Sequence, residues 1–123
     1  MSSMSSNFQF TSKKVSNPEK TFVVDLVGDL DESNQKELTD LMKRFLLDDN
    51  IENIVFNIRG LDYMNSGVIG ALATAHSDFI SAKKQFVFSE ANENIFDIMD
   101  LVGLTSVIEC FASNEEACLS FED

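Results

Sequence analysis

Asn65-Ser66-Gly67 is the segment with the clearest chemical potential, a serine hydroxyl between an asparagine and a glycine, just ahead of the small and apolar run at 68–75. A serine where the chain enters a helix has two uses. Its hydroxyl can cap the helix by accepting a bond from an otherwise unpaired amide. The same place, near free amides and the positive end of the helix dipole, also favours an added phosphate, so the hydroxyl could be a phosphoryl acceptor without wrecking the fold. The local pattern leaves both readings open.

Other reactive side chains are sparse. His76 falls four residues after Leu72 and three before Phe79, on the apolar side of the same helix, and reads as a structural imidazole rather than a general base. Cys110 and Cys118 lie eight apart without a CxxC motif and read as small buried apolar residues in a reducing setting. One histidine and two distant cysteines make a poor metal donor set, and no cofactor is expected. The GxxxxGK(S/T), GxGxxG and GxSxG patterns are absent. A receiver domain with a phosphorylated aspartate needs a lysine after its last strand, yet no Lys or Arg follows Lys84. A small hydrolase or nucleotide-binding enzyme built on Ser66 and His76 is the least favoured reading.

The elements that must position Ser66 follow from periodicity. Phe8 and Phe10 alternate with polar residues and predict a short edge strand, while residues 21–27 form a β-rich run. Ser16-Asn17-Pro18-Glu19 between them carries turn chemistry, so the two make an antiparallel hairpin. Gly28-Asp29-Leu30-Asp31 is expected to break the second strand. Leu38, Leu41, Met42, Phe45 and Leu46 follow a helical spacing, with Asn34 and Glu37 as a capping pair at its start. Residues 51–58 predict a strand, 59–65 a loop, and 66 to about 82 a second helix. Its Gly67, Gly70, Ala71, Ala73 and Ala75 would let it lie close to a sheet. Phe86-Val87-Phe88 predicts a strand. Ile95, Ile98, Met99 and Val102 predict a helix stopped at Gly103. Residues 107–111 predict a last strand, and Ser113-Asn114-Glu115-Glu116 is a capping box opening a short helix through Phe121. The order β-β-α-β-α-β-α-β-α describes one α/β domain with four helices. Its sheet is mixed but mostly parallel, with an N-terminal antiparallel hairpin.

Charge narrows the partners. The 123 residues carry 9 Lys+Arg against 21 Asp+Glu, a net −12, which disfavours nucleic acid and anionic membranes. The imbalance grows along the chain, from net −4 over residues 1–62 to net −8 over 63–123. The polar start at 1–7 has no apolar segment behind it, and the longest small or apolar run is too short to span a bilayer. A cytoplasmic location is expected.

Three segments together resemble the STAS-domain family and, within it, the small stand-alone anti-sigma-factor antagonists of bacteria. Val27-Gly28-Asp29-Leu30-Asp31 is similar to the family's G-x-L/I-D turn. The stretch from Leu61 through Asn65-Ser66-Gly67-Val68-Ile69-Gly70-Ala71-Leu72 is similar to its D-S-S-G-L-x-x-L signature, and Val102-Gly103-Leu104 to the usual end of its third helix. The match departs at one place: either Met64 stands at the acidic position, or the loop is one residue shorter with Asn65 there.

The resemblance implies a STAS domain over residues 8–123 behind a disordered N-terminus at 1–7. It also implies a non-enzymatic mechanism. Such a protein, unphosphorylated, binds an anti-sigma factor with serine kinase activity and frees the sigma factor. Phosphorylation at the serine before the glycine, here Ser66, breaks the complex, and a serine phosphatase resets it. Partner-binding residues expected on this basis are Asp29, Asp31, Met64, Asn65, Gly67 and Val68. The alternative implied is a STAS module acting as a scaffold or transport-complex subunit, with Ser66 only a helix cap.

Overall fold

Hairpin pairing at the start of the chain sets one edge of the sheet. β1 (Phe8–Val15) runs antiparallel to β2 (Thr21–Leu30), with Phe8 opposite Gly28 and Val15 opposite Thr21. The structure, a computed structural model, describes residues 8–122; the expected disordered terminus at 1–7 lies outside the described residues. β1 is longer than the Phe8/Phe10 alternation predicts. Residues 11–14 are exposed and polar, so there only backbone pairing to β2 marks it as strand.

The chain continues as α1 (Gln35–Leu47), β3 (Asn53–Met64), α2 (Ser66–Ser81), β4 (Gln85–Ser89) and α3 (Glu93–Leu101). A one-turn 3-10 helix (Leu104–Ser106), β5 (Cys110–Phe111) and α4 (Asn114–Leu119) complete it. The five strands lie in the order β1-β2-β3-β4-β5, and β2 to β5 are mutually parallel. The expected α/β class, hairpin and helix order are all present.

The sheet's two faces are unequal. The larger core joins Val24, Leu26, Ile54, Phe56 and Phe88 to buried residues of α1, α2 and α3, such as Leu38, Leu72 and Ile95. Phe86 sits at its centre, meeting Phe56 and Phe79 edge-to-face at 5.1 Å each, a favoured aromatic geometry. The other face holds a smaller cluster, Val23, Val55 and Val87 under Ala117 of α4. α4 is tied down by Asn114, whose Oδ1 accepts from Asn57 Nδ2 at 3.0 Å and from Ser89 Oγ at 2.6 Å.

Three boundaries differ from expectation. β2 is not broken at Gly28 but runs to Leu30, since Gly28 pairs with Phe8 on one side and Leu61 on the other. β3 likewise continues through residues 59–64, predicted as a loop. Two register shifts against β2 add a residue to β3 each time, so its apolar alternation breaks while the strand goes on. The predicted strand at 107–111 shrinks to two residues. Gly103, in the left-handed region at φ 83, ends α3 as expected, but the chain then winds into the 3-10 turn and buries Ile108 before pairing.

Candidate functional site

Parallel pairing at the ends of β2 and β3 creates the site. Asp29 lies beside Tyr63 and Leu30 beside Met64, and the Asn65 amide donates to the Leu30 carbonyl at 3.1 Å. The segment bearing Asp29 and Asp31 is therefore held against the entry to α2. Asn34 fastens the β2–α1 turn: its Nδ2 donates to the Asp29 carbonyl at 2.8 Å and its Oδ1 accepts the Asp31 amide at 3.0 Å. This corrects the expected capping pair. Asn34 occupies the cap position of α1, but its side chain reaches back to the turn instead of bonding a helix amide.

The entry to α2 carries a second correction. Asn65, not Ser66, is the N-cap, and its Oδ1 accepts from the Val68 amide at 2.9 Å. Ser66 is the first helical residue and is exposed. Its hydroxyl is thus not taken up by capping. Asn at the cap leaves the next position free of that duty.

Gly67 faces α1. A Cβ there would stand 2.6 Å from Gln35 Oε1, so the glycine lets the Gln35 side chain lie over the first turn of α2. Gly70, by contrast, has open space beside it, and with Ala71 and Thr74 it lines a groove against Leu38 and Met42. Ala73 and Ala75 pack against the main core, while Gly67 and Ala71 lie on the side toward α1. The sheet is met by Val68, Leu72 and Phe79.

Burial divides the expected partner-binding residues. Asp29, Asp31, Asn65 and Gly67 are at least partly accessible. Met64 and Val68 are fully buried in the main core, so the expectation that their side chains meet a partner is corrected; both act by fixing the ends of β3 and α2. A carboxylate at position 64 would be buried there and costly to ionise.

Three contributors escaped the sequence reading. Tyr63, the chain's single tyrosine, is half exposed beside Asp29. Asn92 caps α3 through the Ile95 amide at 2.9 Å and also donates to the Leu61 carbonyl at 2.7 Å. Asn94 donates to the Asp62 carbonyl at 3.2 Å, completing the tie between α3 and the C-terminal part of β3. An asparagine three residues before a helical apolar position was a readable signal for the first of these roles, but not for the long-range one.

Electrostatics at the site are mixed. The first turn of α2 has no acidic residue of its own, so its positive dipole end faces outward uncompensated by its own helix. Asp31 stands nearby, held below the usual carboxylate range by bonds from the Ser33 hydroxyl and amide. His76 is elsewhere: ten residues along α2 from Ser66, or about 15 Å of helical rise, it packs edge-on against Phe86 at 5.2 Å. The two residues required by the hydrolase reading are not brought together.

Comparison with known proteins decides the family. The STAS domain model matches residues 12–117. The chain belongs to the STAS family. Among solved structures, it is similar to the Bacillus cell fate determinant SpoIIAA in its phosphorylated form, at 18% identity and a TM-score of 0.67, over 91% of this chain and 98% of that one. An anti-sigma factor antagonist from Mycobacterium paratuberculosis is similar at 14% identity and a TM-score of 0.80, over 94% and 95%. The murine anion transporter Slc26a9 is similar at 14% identity and a TM-score of 0.74, over 88% of this chain but only 18% of that protein. At these identities the likeness is one of fold. The STAS fold thus occurs both as a whole chain of this size and as one part of a transporter.

Proposed function

We propose that this STAS protein is an anti-sigma-factor antagonist that works by partner switching at Ser66. Unphosphorylated, it binds an anti-sigma factor with serine kinase activity over the entry to α2. Transfer of the ATP γ-phosphoryl group to the Ser66 hydroxyl, with ADP as leaving group and the hydroxyl proton lost to solvent, breaks that complex. A serine phosphatase restores the hydroxyl.

The observation that carries this reading is the position of Ser66: exposed, first in the helix, and relieved of capping by Asn65. A phosphate of about two negative charges there would sit on the positive helix end. It would also meet the carboxylates of the adjoining β2 turn and any partner group chosen to match them. The acceptor and the docking surface coincide, so no long-range change is needed. The match to SpoIIAA along nearly its whole length supports a stand-alone regulator of this kind.

The test is phosphorylation by a purified anti-sigma kinase of this class with ATP, read as intact mass. One added phosphate in the wild type and none in Ser66→Ala is expected. Ser66→Ala should bind the unmodified partner as the wild type does, and Ser66→Asp at least about tenfold more weakly. A wild-type chain that takes up no phosphate would sink the switch.

The likeness to Slc26a9 motivates a second reading, a STAS module within a transport assembly. Here binding would be insensitive to Ser66→Asp, and the co-purifying partner would be a transporter rather than a kinase.

A further inference from the structure

Between α1 and α2 runs a groove that the Ser66 reading does not use. Its cavity measures about 280 Å³ and is lined by Leu38, Met42 and Leu46 of α1 and by Ala71, Ala75 and Phe79 of α2. Leu38, Met42 and Phe79 are buried in the main core, so the floor of the groove is part of the packed interior. Gly70 borders it. Glycine inside a helix is disfavoured against alanine, and at Gly67 and Gly60 it answers a local need, because a Cβ would collide with Gln35 or Val27. At Gly70 a Cβ would meet no atom within 4 Å, and the residue is helical without a left-handed backbone. Neither crowding nor conformation requires glycine there. What the missing side chain leaves is room in the groove.

We propose that this groove binds an uncharged, mainly hydrocarbon small molecule carrying one hydroxyl or carbonyl group. Three observations choose the occupant. The volume holds about nine water-sized groups, enough for a chain of about eight carbons with its polar end and too little for a helix about 10 Å across. The lining is mostly methyl and methylene groups, from which hydrocarbon displaces water favourably. The charged side chains at the rim are Lys43 on α1 and Asp78 on α2, opposite in sign and on opposite walls, so a ligand charge of either sign gains from one and loses to the other. Thr74, exposed on the same rim, offers a neutral hydroxyl. An apolar hollow with a few polar groups at its edge is the usual make-up of a small-molecule site. Gly70 stands about one turn along α2 from Ser66, so the groove adjoins the docking surface but goes beyond that reading and does not rest on it.

The probe is 1-octanol, titrated into the isotopically labelled full chain and followed by NMR, with octanoate and octylamine as charged controls of equal chain length. Saturable shifts confined to residues 35–46 and 67–79 are expected with octanol, and clearly weaker binding with either ion. Gly70→Leu fills the groove with a better helix former, so it should keep or raise the melting temperature. It should also bind octanol at least about tenfold more weakly, the factor that losing two buried methylenes already makes. Shifts centred on another element, equal binding of octanoate or octylamine, or unaffected binding by folded Gly70→Leu would each overturn the proposal. Should Gly70→Leu fail to fold, NOEs from octanol to the methyl groups of Met42 and Leu46 decide the matter in the wild type, and their absence overturns it. If octanol does not bind while Ser66 still accepts phosphate, the groove is no ligand site and the switch stands.

Discussion

Capping and modification fall to neighbouring side chains at the start of α2, and this division can be measured. Replacing Asn65 by Ala leaves the Val68 amide without its acceptor and should cost about 1 kcal/mol, read as a lower urea midpoint with an unchanged slope. Ser66→Ala, at an exposed position with no capping bond, should stay within about 0.5 kcal/mol of wild type. The opposite order of losses would restore Ser66 as the cap. At Gly67 two effects oppose each other. Alanine gains about 1 kcal/mol of helix propensity, but its methyl must push aside the flexible end of Gln35. Little net change in stability is expected, with any loss confined to partner binding. Such assignments were only half legible in the residues. The Ser-Gly pattern located the helix entry, but Asn and Ser are both good caps, and choosing between them required the backbone angles that put Asn65 outside the helix and Ser66 inside.

Strand extension is the matter at the scale of elements. The Asp29–Asp31 segment reaches the entry to α2 only because β2 and β3 stay paired beyond the point where their apolar alternation fails. Gly60 is a weak point in that extension, since a Cβ there would stand 2.9 Å from Val27 Cγ2 on the paired strand. Gly60→Ala should therefore destabilise the fold by about 1–2 kcal/mol, and Val27→Ala should recover much of the loss. A double-mutant cycle by denaturant unfolding gives the coupling directly, and simple additivity would show that the contact is not the cause. Hydrophobic periodicity revealed the helices and the inner strands well, because burial on one face imposes it. It missed residues 59–64 because a bulge changes which side chain faces the core without ending the hydrogen-bonded ladder.

Net charge and pH act on the molecule as a whole. Burial lowers the His76 pKa below the ordinary imidazole value, since the charged form is poorly solvated beside Phe86. The unfolded chain then binds a proton that the folded chain does not, so stability falls as pH drops below about 6.5 toward the folded value. His76→Gln should flatten that part of a melting-temperature profile between about pH 7 and about pH 5; an unchanged slope would exonerate His76. Asp31, held low by Ser33, stabilises the fold above the ordinary carboxylate range, and that contribution is lost as pH falls through its lowered value. With a net −12 already present, one added phosphate changes the total charge modestly. A switch at Ser66 must act through position.

Composition and pattern alone established an acidic α/β domain, its element order, its opening hairpin and a serine at the second helix's entry. These are local properties: periodicity follows from burying one face of each element, and caps and turns follow from backbone chemistry within a few residues. Tertiary structure alone decided that β2 and β3 run on past their signals and that Asp29 and Asp31 face the start of α2. It also decided that Met64 and Val68 are buried and that Ser66 is exposed without a capping role. Those outcomes depend on strand register and on bonds between residues thirty or more positions apart, such as Asn92 to Leu61 and Asn65 to Leu30. No short-range pattern encodes such pairings, because they form only when separate elements meet.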